Sequence, residues 1–317
     1  MRNRDAQRGV ALLAALTVVA LLVALVLPFN QKARVEVALA ANVRDELKAL
    51  YIAQSGLALA LAALRADTTP EGDGQADQWA AFRAYSVSSD RLFNEGSFEG
   101  EILDENAKLN INRLADDTGK LDETRVAQLE RLLGLLGLDQ AQIDSLLDWL
   151  DSDSETRPYG AETDWYQEEG RDACANGPLS SLADLLKVKG ISEEVFFGGE
   201  GRLGLKDVLT INSDGAINLN TAPAVVIASL SKDMDESMAA GIVSAREGKT
   251  YEKLEEITED VPGFRPDLIS QIEGLVTLKS STFTVEIMAT CNEARKALWA
   301  EVRRAGSVVG VTSLRTI

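Results

Sequence analysis

The chain has 317 residues, of which 45% are hydrophobic and 26% are charged, so it is long enough for one or two packed domains and is not a mostly disordered chain. Its 50 acidic residues outnumber its 32 basic residues, and the resulting formal charge of −18 disfavours nucleic acid as the main partner. It contains no histidine and two cysteines, which excludes mechanisms that need an imidazole base and zinc sites built on histidine or four thiolates.

The first predicted element is an apolar helix from Val10 to Leu27, in which Thr17 is the single polar residue. This stretch would rise about 27 Å, close to the thickness of the hydrocarbon core of a bilayer. The preceding residues include three arginines and one aspartate, and this positive charge predicts that the N-terminus is cytoplasmic. We therefore expect the rest of the chain to lie across the membrane.

Removal of the apolar segment by signal peptidase is not expected, because no small-residue pattern follows Leu27; the other possibility is cleavage before the segment, between Gly9 and Val10. A short basic leader that ends in glycine and precedes an apolar helix resembles the leader of type IV prepilins and type II secretion pseudopilins. The alternative is an uncleaved signal anchor in which Gly9 has no role.

The helix is predicted to continue beyond the membrane, since apolar residues keep a spacing of three to four from Val35 to Leu64. It should end near Asp67, before Pro70, and Pro28 should bend it where it leaves the bilayer. A helix from residue 10 to residue 65 would be about 84 Å long, too long for one globular domain to surround. Its first half must therefore lie in lipid or in a filament.

Alternating residues predict a strand over 97–104, and β-branched stretches predict three more over 275–289, 297–303 and 308–315. Helical patterns dominate residues 122–197 between them. We therefore predict an α+β fold in which a long N-terminal helix packs on a small antiparallel sheet and the chain carries a large inserted α-helical domain with two helical subdomains. The predicted boundaries are 1–9 for the leader, 10–31 for the membrane or filament helix, 32–106 and 275–317 for the pilin-like domain, and 107–274 for the insertion.

Two segments share a pattern in which asparagine alternates with aliphatic residues before a helix: residues 108–114, which contain LNIN, and residues 216–223, which contain NLNTAP. Asn218, Asn220 and Thr221 are candidates to cap the helix that starts near Pro223. The second segment and its following helices are also similar to a helix-hairpin-helix DNA-binding unit. However, the turn at residues 231–236 has three acids and no glycine, which favours an architectural role over phosphate binding.

An acidic segment over residues 139–172 carries eleven acids and two bases, and crowded carboxylates repel unless they are solvated or bind a cation. Four of the acids are candidate ligands: Asp151, Asp153, Glu162 and Asp164. Carboxylate oxygens without histidine or cysteine favour Ca²⁺ over zinc or copper. The spacing does not match an EF-hand, and a solvated loop remains the alternative.

The order of these features resembles the K-type minor pseudopilins of type II secretion systems. Pilin-like subunits usually carry a glutamate five residues after the cleaved glycine, and this chain has Ala14 there, a departure that is expected of the K type. The DWLDSD and GAETDWY segments resemble the calcium-binding loop of that family, which implies a structural Ca²⁺ at the four candidate ligands. A subunit without the acid could sit above all the others in a filament.

The resemblance implies a non-enzymatic protein of the inner membrane, with one membrane pass and a periplasmic globular domain. It implies that a prepilin peptidase cleaves after Gly9 and methylates Val10, and that the partners are the I- and J-type minor pseudopilins at the tip of the pseudopilus. Nucleic acid is not an expected partner. We expect partner contacts along the helix from Val35 to Leu64.

Two alternatives belong to other classes of protein. One is a membrane-anchored DNA-uptake receptor that uses the hairpin unit. The other is a periplasmic hydrolase in which a carboxylate pair such as Asp151 and Glu162 acts as acid and base; we expect Trp149, Trp165, Tyr159 and Tyr166 to pack beneath the acidic loop instead of forming a sugar platform. Cys174 and Cys291 would share an oxidising compartment, so a disulfide is permitted but the sequence does not establish one.

Overall fold

A computed structural model describes residues 2–67, 71–116, 119–199, 201–306 and 308–317, with side chains described from Leu12 onward. Its first element is the helix α1, Arg2–Arg65, which continues through Pro28. This confirms the predicted helix. Gly9 and Val10 lie within α1, but the side chain of Val10 falls outside the described part.

Ten shorter α-helices follow within the described residues. They are α2 (Phe82–Ser86), α3 (Glu123–Leu135), α4 (Gln140–Leu150), α5 (Thr163–Glu168), α6 (Glu193–Phe197), α7 (Leu205–Val208), α8 (Ala224–Ala228), α9 (Glu236–Ala245), α10 (Leu254–Asp260) and α11 (Pro266–Ile272). Most lie in the insertion, as the leucine-rich helical patterns predicted.

Four strands form an antiparallel sheet in the order β1-β6-β7-β8. The strands of the chain are β1 (Ser97–Asp104), β2 (Leu109–Asn110), β3 (Leu209–Thr210), β4 (Ile217–Asn218), β5 (Val276–Thr277), β6 (Thr282–Cys291), β7 (Ala294–Ala305) and β8 (Val308–Thr316). β2 pairs with β3 and β4 pairs with β5, each in parallel. The fold is thus the α+β fold that the sequence predicted.

The second half of α1 packs on one face of this sheet. Its buried residues include Ala49, Ala53 and Ala60, whose small side chains let the helix axis approach the strands closely. Phe98 and Phe283 fill the space between helix and sheet and belong to the same hydrophobic cluster. This cluster is the core of the pilin-like part.

A second hydrophobic cluster occupies the insertion and runs from Leu109 to Leu278 along the chain. It includes Leu129, Leu132 and Leu133 of α3, which lie three and four residues apart on the buried face of that helix. Cys174 belongs to this cluster and Cys291 to the cluster under the sheet, and both are free thiols. The permitted disulfide is absent.

Buried polar side chains join the two parts where the chain crosses between them. The Asp104 carboxylate accepts hydrogen bonds from Ser280 Oγ (2.5 Å), Thr221 Oγ1 (2.5 Å) and Asn218 Nδ2 (3.3 Å). Asn106 Oδ1 accepts from the backbone N–H of residues 281 and 282 at 3.0 and 3.2 Å. Burial raises the pKa of Asp104.

The predicted caps of α8 are wrong, because these side chains bond to groups outside that helix. The N-cap of α8 is Pro223, and no side chain caps it. Asn218 donates to Asp73 O (2.9 Å), and Asn220 donates to Tyr251 O (2.8 Å) while accepting from Tyr251 N–H (2.9 Å). The alternating asparagines are therefore buried connectors, which satisfy backbone groups between segments far apart in sequence.

Candidate metal site

The helix α4 places two of its carboxylates under the acidic loop. Asp139 caps its N-terminus in a capping box with Gln142, which fixes where the helix begins. Asp144 and Asp148 are four residues apart and therefore share a face, and both are buried. They receive the returning chain, since Asp144 Oδ2 accepts from Tyr159 N–H (3.2 Å) and Asp148 accepts from Arg157 N–H (3.2 Å).

Gly160 permits this return because its backbone lies against the Asp148 carboxylate. A Cβ atom at this position would be 1.9 Å from Asp148 Oδ2 and 2.7 Å from its Cγ. Any side chain would therefore push the carboxylate away. The glycine is required by close approach and not by a left-handed backbone, as its φ is not positive.

Three of the four predicted ligands come together after α4. Asp151, Asp153 and Glu162 each offer a carboxylate oxygen, and these oxygens lie within 4.8 Å of one another. Asp151 and Glu162 are 4% and 5% exposed, whereas Asp153 is exposed. Asp164, the fourth, is exposed in the first turn of α5 and is not part of this group.

Three oxygen atoms at this site are buried without a hydrogen-bond partner among the described residues: Asp151 Oδ1, Glu162 Oε1 and Asn176 Oδ1. All three are acceptors, and a buried acceptor without a donor is costly unless it meets a cation or water. The residues present therefore fit a Ca²⁺ ion, which binds carboxylate and amide oxygens.

Asn176 is a candidate ligand that the sequence reasoning missed. It lies at a positive φ of 43° and its Nδ2 donates to Asp153 O (2.7 Å), which holds its side chain beside the acidic group. The one available signal was the Asn-Gly pair at residues 176–177, which is typical of turns. Nothing in its spacing connects it to Glu162.

Burial and mutual repulsion oppose ionisation of the two buried ligands. Burial, followed by the neighbouring Asp153 and Asp148, raises the pKa of Asp151, against the effect of Arg157. Burial also raises the pKa of Glu162, and the charges of Asp148 and Asp151 add to the rise. A bound divalent cation would offset both effects.

Aromatic side chains support the loop, as predicted for three of the four. Trp149 and Tyr166 are buried and pack edge to face with ring centroids 5.0 Å apart, and the half-buried Trp165 lies 5.0 Å from Tyr166. Tyr166 Oη accepts from Lys189 N–H (3.0 Å). The prediction is wrong for Tyr159, whose side chain is 63% exposed. Tyr159 contacts Asp144 through its backbone N–H and not through its ring.

A second acidic group, formed by Asp67, Asp73 and Asp77, is already partnered within the chain. Arg304 forms ion pairs with Asp67 and Asp73, and Asp73 also accepts from Ser280 N–H (2.7 Å). Asp77 accepts from Gly74 N–H (2.7 Å). We read this group as part of the junction between the two bodies.

The hairpin of α8 and α9 offers little to a phosphate backbone. Arg246, just after α9, is buried, and its guanidinium donates to the carbonyl oxygen of Leu219. Burial lowers the pKa of Arg246 to about 10. Asp233 and Asp235 lie in the turn between the helices, where they would repel phosphate.

A long N-terminal helix packed on an antiparallel sheet, with a helical insertion between the first strand and the rest, defines a pilin-like subunit with an inserted domain. Two family models, both described as type II secretion system (T2SS), protein K, match residues 107–197 and 217–278. The chain belongs to the type II secretion system protein K family.

Two curated relatives carry that description in their names. A putative type II secretion system protein K of Escherichia coli (strain K12) is 28% identical over 200 residues, and the type II secretion system protein K of Klebsiella pneumoniae is 28% identical over 201 residues. Each alignment covers 60% of this chain and 60% of the relative, so the chain matches less than two thirds of their length.

The fold is similar to a chain in the crystal structure of the GspK-GspI-GspJ complex from the type 2 secretion system of enterotoxigenic Escherichia coli. The TM-score is 0.66 at 19% identity, and the match covers 85% of this chain and 96% of the other. This similarity extends through both the pilin-like part and the insertion, because neither part alone amounts to 85% of the chain.

Proposed function

We propose that this chain is a minor pseudopilin that joins the I- and J-type minor pseudopilins at the tip of the type II secretion pseudopilus, where the assembly starts or is capped. The observation that carries the proposal is the fold shared with a chain of the GspK-GspI-GspJ complex, together with the family match. The family is a structural component of a secretion system, and we propose no catalytic role for it.

The N-terminal half of α1 is proposed to anchor the chain in the inner membrane, with the body in the periplasm. Within the described residues, Leu12–Arg65 is the helix that is long and apolar enough to cross a membrane, and its first part is not buried by the rest of the chain. The three arginines of the leader support a cytoplasmic N-terminus.

A prepilin peptidase is proposed to cleave after Gly9 and to methylate Val10. Intact-mass analysis of the purified chain tests this, because cleavage removes nine residues and methylation adds one methylene to the new N-terminus. Gly9→Ala should leave the full-length mass. A wild-type chain that begins at Met1 would contradict the processing, and one that begins after Leu27 would contradict the anchor as well.

The side of α1 that faces away from the sheet is proposed to contact the sibling subunits. Val43, Leu47 and Tyr51 are 57%, 50% and 66% exposed at intervals of four residues, on a helix whose other side is buried against the sheet. Large apolar side chains exposed in a row mark an interaction surface. Ala14 lacks the acid that would dock beneath another subunit, which supports a position at the top.

Co-purification with I- and J-type pseudopilins tests this contact. Leu47→Asp should reduce recovery of both siblings, because it places a charge in an apolar helix contact. The matched control is Leu92→Asp, since Leu92 is 63% exposed in the turn before β1. Equal recovery by both variants and the wild type would refute the proposed surface.

A structural Ca²⁺ is proposed at Asp151, Asp153, Glu162 and Asn176, with Asp164 the weakest of the sequence candidates. The ion would supply positive charge to carboxylates that otherwise repel. These residues join the end of α4, the start of α5 and the segment at residue 176, so their common attraction to one cation would hold three segments together. We expect Ca²⁺ to raise the thermal unfolding midpoint, and an unchanged midpoint in EGTA would remove this proposal.

The DNA-receptor alternative is not favoured by the family or by the buried Arg246. Salt-dependent binding of the chain to a DNA duplex would revive it. We expect no such binding because the exposed turn of the hairpin is acidic.

A further inference from the structure

Arg157 is a cation built into the acidic loop. Its Nη1 donates to Asp148 Oδ1 (2.7 Å) and to Asp151 Oδ2 (2.5 Å). The Asp148 side chain is fully buried, the Asp151 side chain is 6% exposed and the Arg157 side chain is 28% exposed. Charge-assisted hydrogen bonds are stronger than neutral ones, and removing one partner from a pair with little access to water leaves a buried charge uncompensated.

Asp151 is shared between this arginine and the candidate metal position. One carboxylate oxygen, Oδ2, accepts from Arg157, while the other, Oδ1, is buried without a partner. Asp151 also belongs to the group in which Asp153 and Glu162 offer oxygens within 4.8 Å. A guanidinium and a divalent ion would therefore lie on opposite sides of one carboxylate.

Two positive charges beside one carboxylate are each attracted to it, and they also repel each other. When no ion is bound, Arg157 neutralises part of the charge of Asp148 and Asp151 and limits the repulsion within the acidic group. When an ion is bound, the same charge opposes it across a short, poorly solvated distance.

We propose that Arg157 is a tethered counter-cation that stabilises the metal-free loop and weakens calcium binding. This inference rests on the proposed calcium site and adds a positioning residue to it. It predicts that the chain keeps its loop folded at low calcium, and that removing the arginine makes the loop depend on the ion.

The test compares the full-length chain in detergent with three variants. Arg157→Gln removes the charge, and Arg157→Lys keeps it. Arg171→Gln is the matched control, because Arg171 is an exposed arginine of the same acidic segment whose guanidinium bonds to the Lys187 carbonyl (3.4 Å) and makes no described contact with the acidic group. Thermal midpoints are measured in EGTA and in rising CaCl₂, and calcium affinity is measured by calorimetric titration.

Arg157→Gln should have a lower midpoint than the wild type in EGTA, a larger rise on adding calcium, and an affinity for calcium about tenfold tighter. Arg157→Lys should behave like the wild type in both measurements, which separates the charge from the shape of the side chain. Arg171→Gln should leave the affinity within about twofold of the wild type, since its charge is screened by solvent.

An affinity of Arg157→Gln that is unchanged or weaker would overturn the proposal, as would failure of this variant to fold in saturating calcium, where the ion should replace the missing charge. A wild-type chain that shows neither heat of binding nor a calcium-dependent midpoint would instead overturn the calcium site. That result would leave the pseudopilin proposal in place, because co-purification with the siblings tests it separately.

Discussion

Gly56 lies in the interior of α1, where the helix meets the sheet, and replacing it with alanine should destabilise the chain. A Cβ atom there would lie 2.9 Å from Phe98 Cδ2 and 3.0 Å from Ile287 Cγ2, and both of those side chains are buried. Alanine would gain about 1 kcal/mol of helix propensity. Overpacking of this kind costs about 1–3 kcal/mol, so we expect a net loss of about 1 kcal/mol.

Gly134 in α3 provides the control, because a Cβ atom there would meet nothing within 4 Å. Gly134→Ala should therefore gain up to about 1 kcal/mol from propensity alone. For a protein of this size, a change of 1 kcal/mol moves the melting temperature by about 2–4 °C. Thermal unfolding in detergent, followed by tryptophan fluorescence, should show opposite signs for the two variants, and a rise in both would refute the close-contact argument.

Three further predictions concern the site, the junction and the thiols. Gly160→Ala should displace the Asp148 carboxylate, lower stability by about 1–3 kcal/mol and reduce the calcium-dependent rise in melting temperature. The control is Gly177→Ala, whose Cβ would meet nothing closer than 3.8 Å. This variant should leave the stability and the calcium-dependent rise nearly unchanged. Burial raises the pKa of Asp73 from 3.8 to about 6, so the contribution of this residue to stability is full below pH 3.8 and is lost as pH rises through 6. Over that range the unfolding free energy of the wild type should fall by up to about 3 kcal/mol relative to that of Asp73→Asn. Parallel pH profiles for the two proteins would contradict this prediction. Burial also raises the pKa of Cys174 to about 11, and Cys291 is buried in the other core, so native chain treated with iodoacetamide should keep its unmodified mass; rapid labelling of either thiol would show that its core opens.

Elements with a strong periodic signal were predictable. The apolar spacing of α1 and the alternation at residues 97–104 gave the helix and the strand that the structure shows, because one face of each is buried against the other. The insertion was predictable as helical, since its leucines recur at helical spacing on the faces that now form its core. Local pattern and final packing agree in these segments.

The candidate site was predictable only where the ligands follow one another closely in the chain. Asp151 and Asp153 sit where α4 ends, and Glu162 is the N-cap of α5, with Oε2 accepting from Thr163 N–H (3.3 Å). Asp164 lies two residues further on, inside the first turn of α5, and its side chain is exposed and not part of the acidic group. No sequence spacing distinguishes these two acids.

Contacts between distant segments were not predictable. Asn176 reaches the acidic group only because the chain returns after α5. Asn218 and Thr221 bond across the junction, Asn220 bonds to Tyr251 within the insertion, and none of the three caps the helix that follows. Asparagine before a helix usually suggests a cap, because that bond is local. Here tertiary hydrogen bonds to buried backbone groups replaced the local one.

The polar junction at Asp104 and Asn106 also has a mechanical consequence. Both crossings of the chain between the two bodies are fixed there by buried side-chain hydrogen bonds, one near residue 104 and the other near residue 280. A force along the helix axis would therefore be transmitted to the inserted body, because hydrogen bonds fix both connections between the two bodies. The two bodies would then move together as one rigid unit.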